Sequence, residues 1–202
     1  MPIGAQGDVE VVSFHALKPV SAGEGGAVFC RDDTLARLVA HLGNFAFDEH
    51  HQVTRPDGLN AKISEPAAAI ALASLDELPA SLADRRRRAE EVLRLIPGNF
   101  ERQSGHEHGT WQFVPVAAPD PQSRSSVLEE AARRGIVVRT YYDPLHEMTA
   151  FAECSRADEL SVTRELGARM LSLPMAVDLD DAEISAVVEM VHAGAHAVVR
   201  SV

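Results

Sequence analysis

Cysteine is scarce in this chain: Cys30 and Cys154 are the only two among 202 residues. Two cysteines make no disulfide framework, which excludes the small stapled folds of secreted proteins and leaves a buried thiol and a loop thiol as the expected reading. Positive charge is in deficit, with 19 Lys and Arg against 30 Asp and Glu and a formal net charge of −11. That balance argues against a nucleic-acid partner, which needs a basic face. Long apolar runs are lacking, so no membrane partner is expected. Met1-Pro2-Ile3-Gly4 lacks the basic and apolar regions of a signal peptide, and a cytoplasmic protein acting on small molecules is the expectation. Aromatic residues are few, at 5%, yet 46% of the chain is hydrophobic. A sizeable core is therefore within reach and disorder is not expected.

What the sequence does have is a lysine set between two short apolar runs. Val9, Val11 and Val12 read as a strand, and Ala27-Val28-Phe29-Cys30 as a second. Between them lies Ser13-Phe14-His15-Ala16-Leu17-Lys18, then Gly23-Glu24-Gly25-Gly26, where glycine allows a sharp reversal. A lysine amine on such a connection can condense with an aldehyde, provided its surroundings keep it partly unprotonated. The Ser13 hydroxyl can donate to an anion beside it. His15 precedes Lys18 by three residues, close enough to face the same pocket.

Downstream, Asp32-Asp33 with Leu35, Leu38, Val39 and Leu42 predicts a capped amphipathic helix ending at Gly43. A long polar and aromatic loop follows from Asn44 to Leu59, with a turn at Pro56-Asp57-Gly58. Ser64 is the expected N-cap of the longest helix, with Pro66 in its first turn and a break expected near Pro79. The small face Ala67, Ala68, Ala69, Ala71 and Ala73 points to a core or subunit contact. Arg85 to Arg88 resemble a nucleic-acid patch, but consecutive helical residues spread around the barrel, and Asp84, Glu90 and Glu91 lie alongside; a solvated, ion-paired face is the better reading.

Pro97-Gly98 closes that helix, and a boundary is placed there: residues 1–98 and 99–202. The second part reads strand (Trp111 to Val116), helix (Ser126 to Arg134), strand (Ile136 to Arg139), helix (Leu160 to Met170), strand (Leu171 to Leu173) and helix (Asp180 to His192). Such alternation indicates a small α/β domain. His106-Glu107-His108 and His50-His51 do not supply the three or four convergent ligands of a zinc site, so no metal is expected.

Ser-Phe-His-x-x-Lys followed by Gly-Glu-Gly-Gly resembles the cofactor-lysine segment of the DegT/DnrJ/EryC1/StrS sugar aminotransferases. Three further runs are similar to that family: Gly58-Leu59-Asn60-Ala61-Lys62-Ile63-Ser64-Glu65, with isoleucine in place of the common methionine; Gly135 to His146; and Leu171-Ser172-Leu173-Pro174. The resemblance implies an α/β chain of the fold type I class: the C-terminal remnant of the large domain over 1–98 and a complete small α/β domain over 99–202. It implies pyridoxal 5′-phosphate as cofactor, Lys18 as its Schiff-base lysine, Ser13 on its phosphate in cis and Asn60 on that of a partner subunit. His15 is a candidate cofactor contact. Tyr142 and His146 either line the substrate cleft or pack a domain joint, and Asn60 has the plain alternative of a turn asparagine.

By the same resemblance the reaction is transfer of an amino group, from glutamate in most of the family, to a nucleotide-linked keto-deoxy sugar. The Asn-x-Lys-x-Ser-Glu form inclines toward the C4-aminating branch. Full-length members carry about as much chain again before this lysine, including the aspartate on the pyridine nitrogen, the aromatic residue stacked on the ring and a phosphate loop. Two expectations follow. The chain is the catalytic-lysine half of an aminotransferase, acting as a homodimer or with a separately encoded N-terminal half. Alternatively it is a non-catalytic remnant, at most a binding or dimerisation module. Strands 9–14 and 27–30 are expected to have open edges in either case.

Overall fold

Valine-rich residues 9–12 and the apolar run 27–30 pair as expected, and glycines supply the reversal between them. In the computed structural model, which describes residues 7–199, strand β1 (Val9–Ser13) runs antiparallel to β2 (Gly26–Cys30), with Val9 opposite Cys30 and Ser13 opposite Gly26. Residues Met1 to Gly4, read above for signal-peptide features, lie outside the described residues. The sheet has only these two strands among the described residues. Both of its faces carry exposed apolar side chains, Val11 at 75% and Phe29 at 58%.

Helix α1 (Asp33–Gly43) starts where the Asp32 carboxylate accepts the N–H groups of Thr34 and Leu35 at 2.8 and 2.9 Å. The loop after it is ordered by its own backbone. Asn44 bridges Asn60, Phe47 bridges Val53, and the Phe45 N–H donates to the Leu59 carbonyl at 2.8 Å. Helix α2 (Glu65–Leu95) is capped by Ser64, whose Oγ accepts from Ala67 N–H at 3.3 Å.

Pro79 does not break α2, contrary to the expectation from its missing donor. Leu75, Asp76, Glu77, Pro79 and Ala80 are all exposed, so water can reach the carbonyl left without a partner. At this residue the chain divides into two compact units, Met1–Pro79 and Ala80–Val202.

The second unit holds an antiparallel sheet of order β3-β4-β5: β3 (Glu101–Arg102), β4 (Val114–Ala117) and β5 (Met170–Leu173). Helices α3 (Pro121–Arg134), α4 (Ser161–Arg169) and α5 (Asp181–Val199) complete it. Val92, Leu93, Val114, Val116, Val127, Leu171, Leu173, Ile184, Met190 and Val191 form its core. The α3–α5 packing is close: a Cβ added at Gly194 would lie 2.6 Å from Val127 Cα.

Several boundaries differ from the sequence expectation; α5, for one, continues past His192 to Val199. Strand β4 begins at Val114 because Trp111 takes a left-handed φ of 55° while its ring packs into the core. The expected strand at 136–139 reduces to a bridge between Arg139 and Ser172, with N–H to O distances of 3.1 and 2.7 Å. Helix α3 begins at Pro121, ahead of Ser126, because the Asp120 carboxylate caps it, accepting from Ser123 N–H at 2.7 Å and Ser123 Oγ at 2.9 Å. Those two hydrogen bonds hold the Asp120 carboxyl below the usual carboxylate range. The arginine run has intramolecular acceptors. Arg85 donates to the Trp111 carbonyl at 3.0 Å, Arg86 to that of Gly109 at 3.5 Å, and Arg87 and Arg88 to Asp84 at 2.9 and 2.7 Å. The ion-paired reading holds for Arg87 and Arg88 only; Arg85 and Arg86 reach backbone carbonyls instead, and Arg85 and Arg88 are partly buried. Asp84 is held low by its hydrogen bonds to Arg88 and Arg87.

Candidate functional site

The first unit contains Ser13, His15, Lys18 and Asn60; the second contains Tyr142 and His146. Ser13 ends β1, and from there the chain folds into two nested turns. Phe14 N–H donates to Gly25 O at 2.9 Å and Ala22 N–H returns to Phe14 O at 2.8 Å, closing the base. Ala16 N–H to Gly23 O and Lys18 N–H to His15 O, both 2.8 Å, tighten the tip. Gly23 and Gly25 adopt φ of 80° and 132°, values open to glycine and strained for other residues, as the reversal requires.

Side chains reinforce that backbone. Ser13 Oγ accepts the His15 N–H at 3.2 Å, leaving its own hydrogen available to an anion. His15 Nδ1 accepts the Leu17 N–H at 3.2 Å, and its Nε2 stands 3.8 Å from Glu24 Oε1. Ser21 N–H donates to Ser74 Oγ on α2 at 3.1 Å, tying the turn to the helix. Ser74 has no motif around it and lies 53 residues away, so sequence reasoning had no signal for it. Lys18 is half-buried, and Ala22 is buried.

Asn60 sits exposed where the long loop returns to α1, held by its backbone bridge to Asn44. Gly58 makes that return possible, since a Cβ there would lie 2.4 Å from the Phe45 carbonyl carbon. Just ahead, the Arg55 guanidinium donates to both Asp57 oxygens at 2.9 and 2.8 Å and holds that carboxyl low. Lys62, quoted above only as part of a motif, puts its ammonium 4.0 Å from the Phe45 ring centroid and 3.3 Å from Asn44 Oδ1. These contacts give Asn60 a defined platform.

In the second unit, Tyr142 is 72% exposed and its ring lies 4.7 Å from that of Tyr141, which in turn meets Phe113 at 5.4 Å. The His146 side chain is buried, 9% exposed, with Nε2 at 3.7 Å from Glu147 and no hydrogen-bond partner. Arg156 donates to the His146 carbonyl at 2.9 Å, and Arg164 to Glu147 at 3.0 Å. Among the described residues, no three His, Cys, Asp or Glu side chains converge as a metal site, and no helix is long and apolar enough to cross a membrane.

The braced turn carries an amine on Lys18 and a hydroxyl on Ser13, groups of the kinds that a ligand with an aldehyde and a phosphate would take. Comparison with known proteins agrees with that chemistry. The model of the DegT/DnrJ/EryC1/StrS aminotransferase family matches residues 1–192. A dTDP-3-amino-3,4,6-trideoxy-alpha-D-glucose transaminase of Micromonospora megalomicea subsp. nigra is 32% identical over 93% of this chain and 54% of its own length. A GDP-perosamine synthase of Caulobacter vibrioides is 28% identical over 92% and 52%. Among solved structures, DesI in the presence of its TDP-sugar product superposes with a TM-score of 0.85 at 33% identity, over 99% of this chain and 54% of that one. The aminotransferase TlmJ from Streptoalloteichus hindustanus gives 0.86 at 26%, over 96% and 54%. The chain spans about half the length of the curated relatives it matches. The mixed α/β fold, the turn around Lys18 and the match along nearly the whole sequence converge: the chain belongs to the DegT/DnrJ/EryC1/StrS aminotransferase family.

Proposed function

We propose that this chain is the lysine-bearing portion of a pyridoxal-phosphate-dependent aminotransferase that moves an amino group, from glutamate, to a nucleotide-linked keto-deoxy sugar. The observation that carries the reading is the braced turn: Lys18 stands on backbone fixed from both sides, with the Ser13 hydroxyl at its base. Lys18 Nζ and Ser13 Oγ would hold the cofactor, by its aldehyde and its phosphate respectively, with His15 beside them. Asn60, on its exposed platform, would serve the phosphate of a cofactor in a partner subunit. When bound, pyridoxal phosphate supplies an electron sink for the bond broken at the amine-bearing carbon. Lys18 Nζ, once released from the cofactor aldehyde, would carry the proton taken from that carbon. Tyr142 and His146 are proposed to face the sugar nucleotide.

In this reading residues 1–98 are the C-terminal part of the cofactor-binding domain and 99–202 the small domain. The partner is a second copy or a separately encoded N-terminal half, and the compartment is the cytoplasm. A second reading, a non-catalytic binding or dimerisation module, is favoured by one observation: among the described residues the β1–β2 sheet has no further strand, and its apolar side chains are exposed. Addition of pyridoxal phosphate to the purified chain separates the two. The aminotransferase reading expects a new absorbance band that is abolished in Lys18→Ala and discharged by glutamate. A band that glutamate leaves unchanged supports the module, and absence of any Lys18-dependent band defeats the cofactor assignment.

A further inference from the structure

His15 is bonded into the lysine turn through its ring as well as its backbone. Its N–H donates to Ser13 Oγ at 3.2 Å, its carbonyl accepts the Lys18 N–H at 2.8 Å, and its Nδ1 accepts the Leu17 N–H at 3.2 Å. An imidazole nitrogen that accepts a hydrogen bond is unprotonated, so this arrangement places the ring hydrogen on Nε2, toward Glu24 Oε1. At 3.8 Å that carboxylate is too far for a hydrogen bond. It attracts the ring without fixing it. Glu24 and Lys18 are the charged residues of the two turns between Phe14 and Gly25.

We propose that His15 is a positioning residue for Lys18, its neutral imidazole accepting the Leu17 amide at Nδ1 and so holding the turn that presents the amine. A doubly protonated ring has two donors and no acceptor. It releases the Leu17 amide and turns its positive charge toward Glu24. Protonation of the ring therefore removes the brace on the turn that carries Lys18. Among the described residues His15 Nδ1 is the side-chain acceptor found for the Leu17 amide, and the ring is 45% exposed. The purpose assigned to the brace rests on the cofactor reading above; the brace itself does not.

The test uses the full 202-residue chain, labelled with nitrogen-15. Imidazole nitrogen shifts are expected to show the Nε2–H tautomer at neutral pH. Protection of the Leu17 amide from exchange is expected to fall in step with ring protonation. In His15→Asn the shorter side chain can accept the same amide through Oδ1 and does not titrate, so protection persists into acid. In His15→Leu, protection and the rate of borohydride-trapped pyridoxal phosphate addition at Lys18 both fall about fivefold, the worth of one such hydrogen bond. An Nδ1–H tautomer, or protection that ignores ring protonation, overturns the brace. Trapping in His15→Leu as fast as in wild type overturns its role toward Lys18. An intact brace with no adduct on Lys18 in any protein defeats the cofactor reading and the assigned purpose together, while leaving the tautomer result standing.

Discussion

The two units of this chain are stabilised in opposite ways. In Ala80–Val202, strands β4 and β5 and helices α2, α3 and α5 enclose a continuous core in which Val114, Val127, Leu171, Leu173, Met190 and Val191 are fully buried. In Met1–Pro79 the buried apolar residues among those described are Ala22, Ala46 and Ala71, none of them large, while Val11, Phe29, Leu59 and Leu72 are exposed at 58–75%. Helix α1 buries no residue at all. The first unit is held by backbone hydrogen bonds, caps and glycine turns, and those same devices present Lys18 and Asn60. Apolar burial is the dominant stabilising term in a domain, and an isolated two-stranded ribbon is marginal. The comparison therefore assigns most of the intrinsic stability to the second unit and most of the candidate chemistry to the first.

The largest effect that tests this contrast is Leu171→Ala. Leu171 is 0% exposed at the centre of the core, and truncation there is expected to cost about 2–5 kcal/mol. Val11→Ala on β1 is expected to leave the urea midpoint nearly unchanged and to reduce self-association. Comparable losses from the two substitutions would break the distinction. Next comes Gly194→Ala, where the added methyl meets Val127 Cα at 2.6 Å. Forcing α3 and α5 apart is expected to cost about 1–3 kcal/mol by the same denaturation measurement. Asp32→Ala, which removes the acceptor for two N–H groups of α1, is expected to cost about 1 kcal/mol. Exchange protection should fall in α1 and stay unchanged in α5.

Acidification sharpens the comparison from another side. Three carboxyls of the second unit are held below their ordinary range, Asp84 by hydrogen bonds from Arg88 and Arg87, Asp120 by the Ser123 N–H and hydroxyl, and Glu130 by its hydrogen bond from Arg134; in the first unit Asp57, more exposed, is held low by Arg55. A depressed carboxyl stabilises the fold once pH exceeds its unfolded value, about 4, and that stabilisation is lost as pH falls through the lower folded value. The urea midpoint of the second unit is thus expected to hold from neutral pH to about 4 and to fall below it. Glu130→Gln should flatten that fall. An unchanged slope would remove Glu130 from the account.

The lysine turn was legible in the sequence because the backbone bonds that fold it are local: serine, histidine and lysine sit within six residues, and glycine spacing announces the reversal. The caps at Asp32 and Ser64 were legible for the same reason. What escaped depended on tertiary contact. Ser74 anchors the turn from 53 residues away, and Trp111 adopts its left-handed conformation where its ring enters a core that local pattern does not display. Pro79 carried a strong breaker signal, yet its surroundings are exposed and the helix continues past it. Gly58 was read as a turn residue, whereas its closeness to the Phe45 carbonyl is a constraint between two arms of a loop.

The most direct test of the central claim is to reduce the chain with borohydride in the presence of pyridoxal phosphate, digest it and locate the modified lysine by mass spectrometry. Modification concentrated on Lys18, with Lys62 unmodified and the signal absent from Lys18→Arg, is the result expected. Label spread equally over Lys18 and Lys62, or unaffected by loss of Lys18, would contradict it.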